Sequence, residues 1–193
     1  MAYLIFDTET VGTPRDYTTG PSADDNWPKM VQLAWSLQRD GKEISRGNFI
    51  IKPEGFEIPE EAAKIHGITT ERALKEGLPL RDVLRYFCCA LKLCDAVVCH
   101  NTGFDLNVVG SEFLRLPTIN HLDGMKAIDT MRPLSEYVGL PNKWGTGYKW
   151  PSLQELHNKL FDCGFEDAHD ANVDIAATAR CFWELKNRGL IVD

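Results

Sequence analysis

No run of apolar residues in this sequence approaches the ~18 or more that a membrane-spanning helix needs. The N-terminus, MAYLIFDTET, also lacks a basic region and a cleavage signal. A soluble, unexported, cytoplasmic chain is expected. The six cysteines, Cys88, Cys89, Cys94, Cys99, Cys163 and Cys181, include no CxxC pair. They read better as buried free thiols in a reducing compartment than as disulfides or a zinc knuckle. There is no HExxH and no close His/Cys ligand pair, which disfavours a zinc hydrolase built on His66, His100, His121, His157 or His169. Basic residues are in deficit: 21 Lys and Arg against 28 Asp and Glu give a net charge of −7. That argues against a protein whose main task is to coat nucleic acid. It leaves room for an enzyme that commits carboxylates to divalent cations, which invert the local sign.

What is present is an ordinary globular composition, 44% hydrophobic and 25% charged, with 15 Gly and 10 Pro among 193 residues. One well-buried core fits that length, and no linker or internal repeat divides it. Tyr3 to Phe6 is an apolar run that reaches polar residues at Asp7-Thr8-Glu9-Thr10, the pattern of a buried strand with a functional edge. Gly12 to Lys29, rich in Pro, Gly and Asp, reads as a long loop. Val31 to Gln38 and Glu43 to Ile51 read as strands joined by an Asp40-Gly41 hairpin turn.

Short helices are expected at Pro59 to Ala63 and Glu71 to Glu76, and a longer one from Leu80 to Leu93, where apolar residues recur with helical spacing. Asp95 to Cys99 returns to strand, Phe104 to Leu116 to helix, and Ala127 to Asp129 to a short strand. Ser152 and Glu155 form a capping box for a helix from Leu153 to about Leu160, and a last helix runs from about Asp170 to Asn187. Three strands followed by alternating strands and helices make a mixed-sheet α/β domain.

Asp7 and Glu9, two apart on a strand, present both carboxylates on one face. Adjacent anions on an apolar strand repel unless a cation joins them, so a divalent metal is the simplest explanation. The bland alternative is a strand end turning into solvent. Asp105 follows a second strand that ends in a polar cluster, His100-Asn101-Thr102-Gly103-Phe104, and open α/β sheets place sites at such ends. It also suits a plain helix-start acid. His169 and Asp174 are separated by about 500° of helical rotation. They converge only if His169 lies on an approach loop, Asp170 caps the helix and Asp174 comes from its first turns. A loop histidine bonded to backbone and a solvated helix acid are the alternatives.

Together, Phe6-Asp7-Thr8-Glu9-Thr10, His100-Asn101-Thr102-Gly103-Phe104-Asp105 and His169-Asp170-Ala171-Asn172-Val173-Asp174 resemble the three motifs of the DnaQ-like 3′–5′ exonucleases of the DEDDh class. The pattern is similar to the proofreading type found in the DNA polymerase III epsilon subunit. The resemblance spans about Tyr3 to Trp183. It implies a ribonuclease H-like mixed β-sheet flanked by helices, and a single exonuclease domain over residues 1–193. Asp7, Glu9, Asp105 and Asp174 would hold two Mg²⁺ ions, with Mn²⁺ as a substitute. The resemblance also assigns Asp7 as the bridging ligand, Glu9 and Asp174 to the nucleophile-side metal and Asp105 to the second, with His169 taking the proton from the attacking water. Asp129 stands where related enzymes often carry an aspartate. The long Gly12 to Lys29 segment departs from compact relatives.

Thr8, Thr10, Asn101 and Phe104 are candidates to border the terminal nucleotide, although Phe104 suits the core equally. Most of Trp27, Trp144, Tyr148 and Trp150 are expected to pack against the sheet. The loop bracketed by Lys143 and Lys149 is the preferred candidate for strand contact through exposed rings. The expected substrate is the 3′ end of a single strand, with DNA preferred over RNA. RNA trimming or an oligoribonuclease-like activity is the alternative within the class, and a nucleic-acid-binding or polymerase-associated module the alternative outside it. With no polymerase domain in the sequence, a replicative role implies a polymerase partner in trans, and the absence of a tail after Asp193 weakens that expectation. A homodimer is left open.

Overall fold

The computed structural model describes residues 1–116, 120–165 and 171–191. Within these residues five strands form one mixed sheet: β1 (Ala2–Thr10), β2 (Met30–Arg39), β3 (Lys42–Ile50), β4 (Ala96–Cys99) and β5 (Ala127–Asp129), in the order β3-β2-β1-β4-β5. The first three strands pair antiparallel, whereas β4 joins β1, and β5 joins β4, in parallel. The hairpin between β2 and β3 turns on Asp40 and Gly41, both at positive φ (51° and 74°). This is the backbone that a two-residue turn matched to strand twist requires, and Asp-Gly adopts it readily.

Among the described residues, seven helices accompany the sheet: α1 (Glu60–His66), α2 (Thr70–Glu76), α3 (Leu80–Leu91), α4 (Thr102–Arg115), α5 (Ser135–Val138), α6 (Leu153–Phe161) and α7 (Ala171–Asn187). A 3-10 turn, Arg132–Leu134, leads into α5, and the sequence reading assigned neither of these short elements. The α6 start carries the full capping box: Ser152 Oγ accepts from the Glu155 N–H, and the Glu155 carboxylate accepts from the Ser152 N–H. The expected Asp170 cap of the last helix lies outside the described residues.

Alternation along β1 decides the layers. Ala2, Leu4 and Phe6 pack with Val83, Leu84 and Phe87 of α3 and Val108, Val109 and Phe113 of α4. Tyr3 and Ile5 pack on the opposite face with Ile175, Ala179 and Phe182 of α7. Because β1 lies at the centre with helices on both faces, it must be apolar on both, and the run Ala2 to Phe6 is buried throughout. Each aromatic or large aliphatic side chain so buried contributes about 1.5–3 kcal/mol.

The segment between β1 and β2 has no helix or strand, as expected, yet it is tied down. Val11 N–H bonds Lys29 O, Arg15 N–H bonds Asn26 O, and Ser22 N–H bonds Ser111 Oγ. Trp27 is fully buried, and its indole N–H donates to Gly20 O at 2.8 Å. Arg115 of α4 donates to the carbonyls of Asp24 and Trp27 and pairs with buried Glu112 at 3.0 Å. Glu112 in turn accepts from the Met30 N–H.

All six cysteines are free thiols, but burial was expected too widely. Cys99 and Cys181 are buried, whereas Cys89 and Cys163 are exposed. Cys89 lies off the apolar stripe of α3 formed by Val83, Leu84, Phe87, Ala90 and Leu91. Among the described residues, no helix is long and apolar enough to cross a membrane.

Candidate active site

The site forms where β1 outruns β4. The parallel register ends at Ile5 opposite Val98, and β4 stops at Cys99 and turns into α4. The last residues of β1 therefore border a crevice at the point where the sheet changes from antiparallel to parallel, the usual location for a site in open α/β sheets. Asp7 and Glu9 share the face of Tyr3 and Ile5, against which α7 packs. Asp174, in the first turn of α7, completes a group with them: one ligand oxygen from each of the three lies within 4.8 Å of the others. The described residues thus hold an acidic cluster able to bind a metal ion.

The electrostatics are those of anions held together against their repulsion. Burial first, and then the charge of Asp174, push the Asp7 carboxyl up to about 7, while the Thr8 N–H opposes the rise. Burial, then Asp7, then Asp174 push Glu9 up to about 8. Such groups share protons near neutrality unless a cation replaces them, and a divalent ion would satisfy all three.

Asp105 sits on the other side of the strand. Its Oδ1 accepts from the Thr8 N–H at 3.1 Å and from the Thr8 hydroxyl at 2.7 Å. Thr8 points away from Asp7 and Glu9, so Asp105 reaches the strand end from the α4 layer. It is almost fully buried, and burial and then the Asp7 charge hold its carboxyl well above the ordinary range. Cys99 lies beneath this group, and burial, reinforced by Asp105 and Asp7, keeps its thiol neutral.

The turn between β4 and α4 is fixed by Asp129, whose Oδ1 accepts from the N–H groups of Asn101 at 3.1 Å and Met131 at 2.8 Å. Asn101 takes the left-handed conformation, φ 87°, a backbone state that asparagine tolerates better than most residues. His100 bonds Pro151 O through Nε2 at 3.0 Å and Thr130 Oγ1 through Nδ1 at 3.1 Å. A carbonyl only accepts, so Nε2 carries the proton, and burial lowers the imidazole pKa and keeps the ring neutral. His157 likewise uses both ring nitrogens, on Cys163 O and Arg180. These two histidines fasten loops.

The other expected site residues fall as follows. His169 lies outside the described residues. The Thr8 hydroxyl is committed to Asp105, and the Thr10 hydroxyl donates to Gly12 O at 2.7 Å. Phe104 packs against the main core, edge-on to Trp27 at 6.1 Å between ring centres. Asn101 lines an open cleft of about 650 Å³. The expectation that most of four aromatics pack inside is overturned: Trp27 is buried, but Trp144, Tyr148 and Trp150 are 73%, 50% and 58% exposed. The tight turns around Gly145 and Gly147 hold the first two in a loop away from the sheet. Two further residues of the cleft, Tyr17 and Arg132, escaped the sequence reading; neither carries a local signal.

Comparison with known proteins agrees with this geometry. Residues 4–182 match the RNase T family model, described as an exonuclease. The chain is 29% identical over 194 residues to the DNA polymerase III PolC-type of Lactococcus lactis, covering 96% of this chain and 10% of that protein. It is 26% identical to the PolC-type enzyme of Lacticaseibacillus paracasei, with 95% and 11% coverage. Among solved structures, Escherichia coli exonuclease I in complex with a dT13 oligonucleotide aligns with a TM-score of 0.75 at 20% identity, over 98% of this chain and 42% of that one. A product-bound exonuclease I aligns with the same TM-score at 19% identity, over 98% and 44%. The chain thus spans about a tenth of the curated relatives it matches and under half of the solved ones. With the three motifs, the ribonuclease H-like sheet and the matched residues in agreement, this chain belongs to the RNase T exonuclease family, of the DnaQ-like DEDDh type.

Proposed function

We propose that this chain is a divalent-metal-dependent exonuclease that removes nucleoside 5′-monophosphates one at a time from the 3′ end of single-stranded DNA. The observation that carries the proposal is the convergence of Asp7 and Glu9 with Asp174, from opposite ends of the sequence, into one partly buried carboxylate group at a strand end. Three carboxylates with ligand oxygens this close, Asp7 and Glu9 among them with raised pKa values, fit a divalent cation, and the all-oxygen donor set suits Mg²⁺ or Mn²⁺.

Two such ions, when bound, would neutralise the phosphodiester, acidify the attacking water and stabilise the leaving 3′ oxygen. In this reading Asp7 is the ligand shared between them, Glu9 and Asp174 serve the nucleophile side, and Asp105 serves the other. Thr8 occupies Asp105 Oδ1 with two hydrogen bonds and so orients Oδ2 as the oxygen left for binding. His169 is the proposed base that receives the proton of the attacking water, a role an imidazole nitrogen can fill. Asp129 and His100 hold the turn that carries Asp105. The proposed unit of function is one exonuclease domain made by the whole chain.

DNA is favoured over RNA because both curated relatives are named DNA polymerases and because the exonuclease I structures hold DNA oligonucleotides. A polymerase partner in trans is part of this proposal, supported by the same names and tested by co-purification.

The deciding experiment follows matched 5′-labelled single-stranded DNA and RNA oligomers with Mg²⁺, with Mn²⁺ and with chelator, for the natural chain and for Asp7→Ala. A metal-dependent ladder that shortens from the 3′ end and disappears in the variant is expected, faster on DNA. No ladder on either strand, from folded protein that binds metal, overturns the proposal.

A further inference from the structure

The open cleft at the start of α4 is built from four separate segments. Tyr17 comes from the β1–β2 excursion, Asn101 from the β4–α4 turn, Arg132 from the turn after β5, and Trp150 from the approach to α6. One turn of α4, about 6 Å along its axis, separates Asn101 from Asp105. The cleft therefore opens next to the reacting end. Tyr17 and Trp150 are both more than half exposed within it.

Tyr17 is braced edge-on by buried Trp27, with ring centres 6.3 Å apart. Trp150 precedes Pro151, whose carbonyl accepts the His100 N–H, and Ser152, which caps α6. The Arg132 guanidinium lies 4.4 Å from the Trp150 ring centre. It packs closely over Gly103, where a Cβ would meet Arg132 Nη2 at 3.0 Å. A cation is thereby held between an aromatic face and the start of the helix that carries Asp105. Exposed rings with an adjacent guanidinium are what an unpaired base and its phosphate bind, since every base offers a stacking face.

We propose that this cleft takes an unpaired base next to the 3′-terminal nucleotide, stacked on Trp150 and Tyr17, with Arg132 facing the intervening phosphate, and that this grip selects single strands over duplex. A base enclosed between rings is unavailable to a complementary strand. The inference rests on the exonuclease reading and gives it a named substrate contact.

The test compares Trp150→Ala, Tyr17→Ala and Trp150→Phe on a short oligothymidylate and on the p-nitrophenyl ester of thymidine 5′-monophosphate, which has no second nucleotide. The ratio of kcat/KM for the oligomer to that for the ester should fall about 5- to 100-fold in each alanine variant, carried by KM, from roughly 1–3 kcal/mol per stacked base. Trp150→Phe should restore most of it. An unchanged ratio, or equal losses on both substrates, overturns the cleft assignment while leaving the exonuclease reading in place. If the natural chain hydrolyses neither substrate, that reading fails, and fluorescence then decides the cleft. Oligothymidylate added with Ca²⁺ should quench the natural chain more than Trp150→Phe; equal quenching overturns the assignment.

Discussion

Asp7→Asn should stabilise the metal-free protein at pH 8 while abolishing its metal response. In the fold, the Asp7 carboxyl is raised from 3.8 to about 7 by burial and by Asp174. Between about pH 4 and pH 7 the native state therefore holds a proton that the unfolded chain has released. Stability falls as pH rises through that window, and the loss is complete above the folded value. At 1.36 kcal/mol per pH unit the full displacement is worth roughly 4 kcal/mol. Part of it is repulsion shared with Asp174, which the variant relieves on both sides, and part is burial that a neutral amide also feels. A gain of about 1–3 kcal/mol at pH 8 is expected, or roughly 3–10 °C in Tm for a domain of this size. Below about pH 4, where Asp7 is protonated in the folded and the unfolded chain alike, the two proteins should melt together. Saturating Mg²⁺ should raise the natural chain by about 2.7 kcal/mol at a hundredfold excess over Kd and the variant by much less. Thermal melts in chelator and in Mg²⁺ at the two pH values measure all of this. A variant that melts no higher than the natural chain at pH 8 in chelator, or that gains as much from Mg²⁺, refutes the reasoning.

Thr8→Val removes the hydroxyl that donates to Asp105 while keeping the shape. It should cost about 1 kcal/mol of stability. It should also raise the Asp105 pKa further, so that the activity profile against pH moves to the alkaline side; an unmoved profile would show that Asp105 takes no part. Arg115→Ala leaves Glu112 charged and buried without its partner and cuts the excursion loose from α4. A loss of about 3–5 kcal/mol in chemical denaturation is expected, with new protease cleavage between Tyr17 and Asp25. Gly47→Ala would drive a methyl into the Trp35 ring in the β2–β3 pair. Overpacking of this kind costs about 1–3 kcal/mol, read as a lower denaturation midpoint. Cys89 and Cys163 should react with a thiol reagent in the native protein, whereas Cys99 and Cys181 should wait for unfolding; early reaction of Cys99 would contradict its place beneath the site.

Much of the fold was readable because its signals are local. The Asp40-Gly41 turn, the Ser152/Glu155 capping box and the stripe on α3 each arise within a few residues, and each lies where the sequence placed it. Burial of Cys89 was misjudged although the same stripe excludes it. The site divides along the same line. Asp7 and Glu9 share a face by strand periodicity, so their pairing is visible in five residues. Asp105 and Asp174 are not, because they approach from opposite helical layers. Asp174 meets the strand on the face of Asp7, whereas Asp105 hangs from Thr8 on the reverse. Only the resemblance to a family pattern connected them beforehand. Tyr17 and Arg132 had no pattern to announce them, since a cleft made from four segments exists only once the sheet has brought them together.

The position of the site follows from one mismatch in length. β1 continues to Thr10, but its parallel register with β4 ends at Ile5, so the carboxylates stand on a strand with no neighbour on that side. A strand end left open inside a closed core would be a defect if apolar residues filled it. Here Asp7, Glu9 and Asp105 fill it instead, at a cost in metal-free stability visible in their raised pKa values. Stability is thus lower where a divalent ion would bind, and the energy of gathering the anions is available to favour its binding. The same open edge lets the β4–α4 turn, fixed by Asp129, present Asn101 to the neighbouring cleft. In the proposed reading, one short strand therefore creates both the room for the reacting phosphate and the passage for the base beside it.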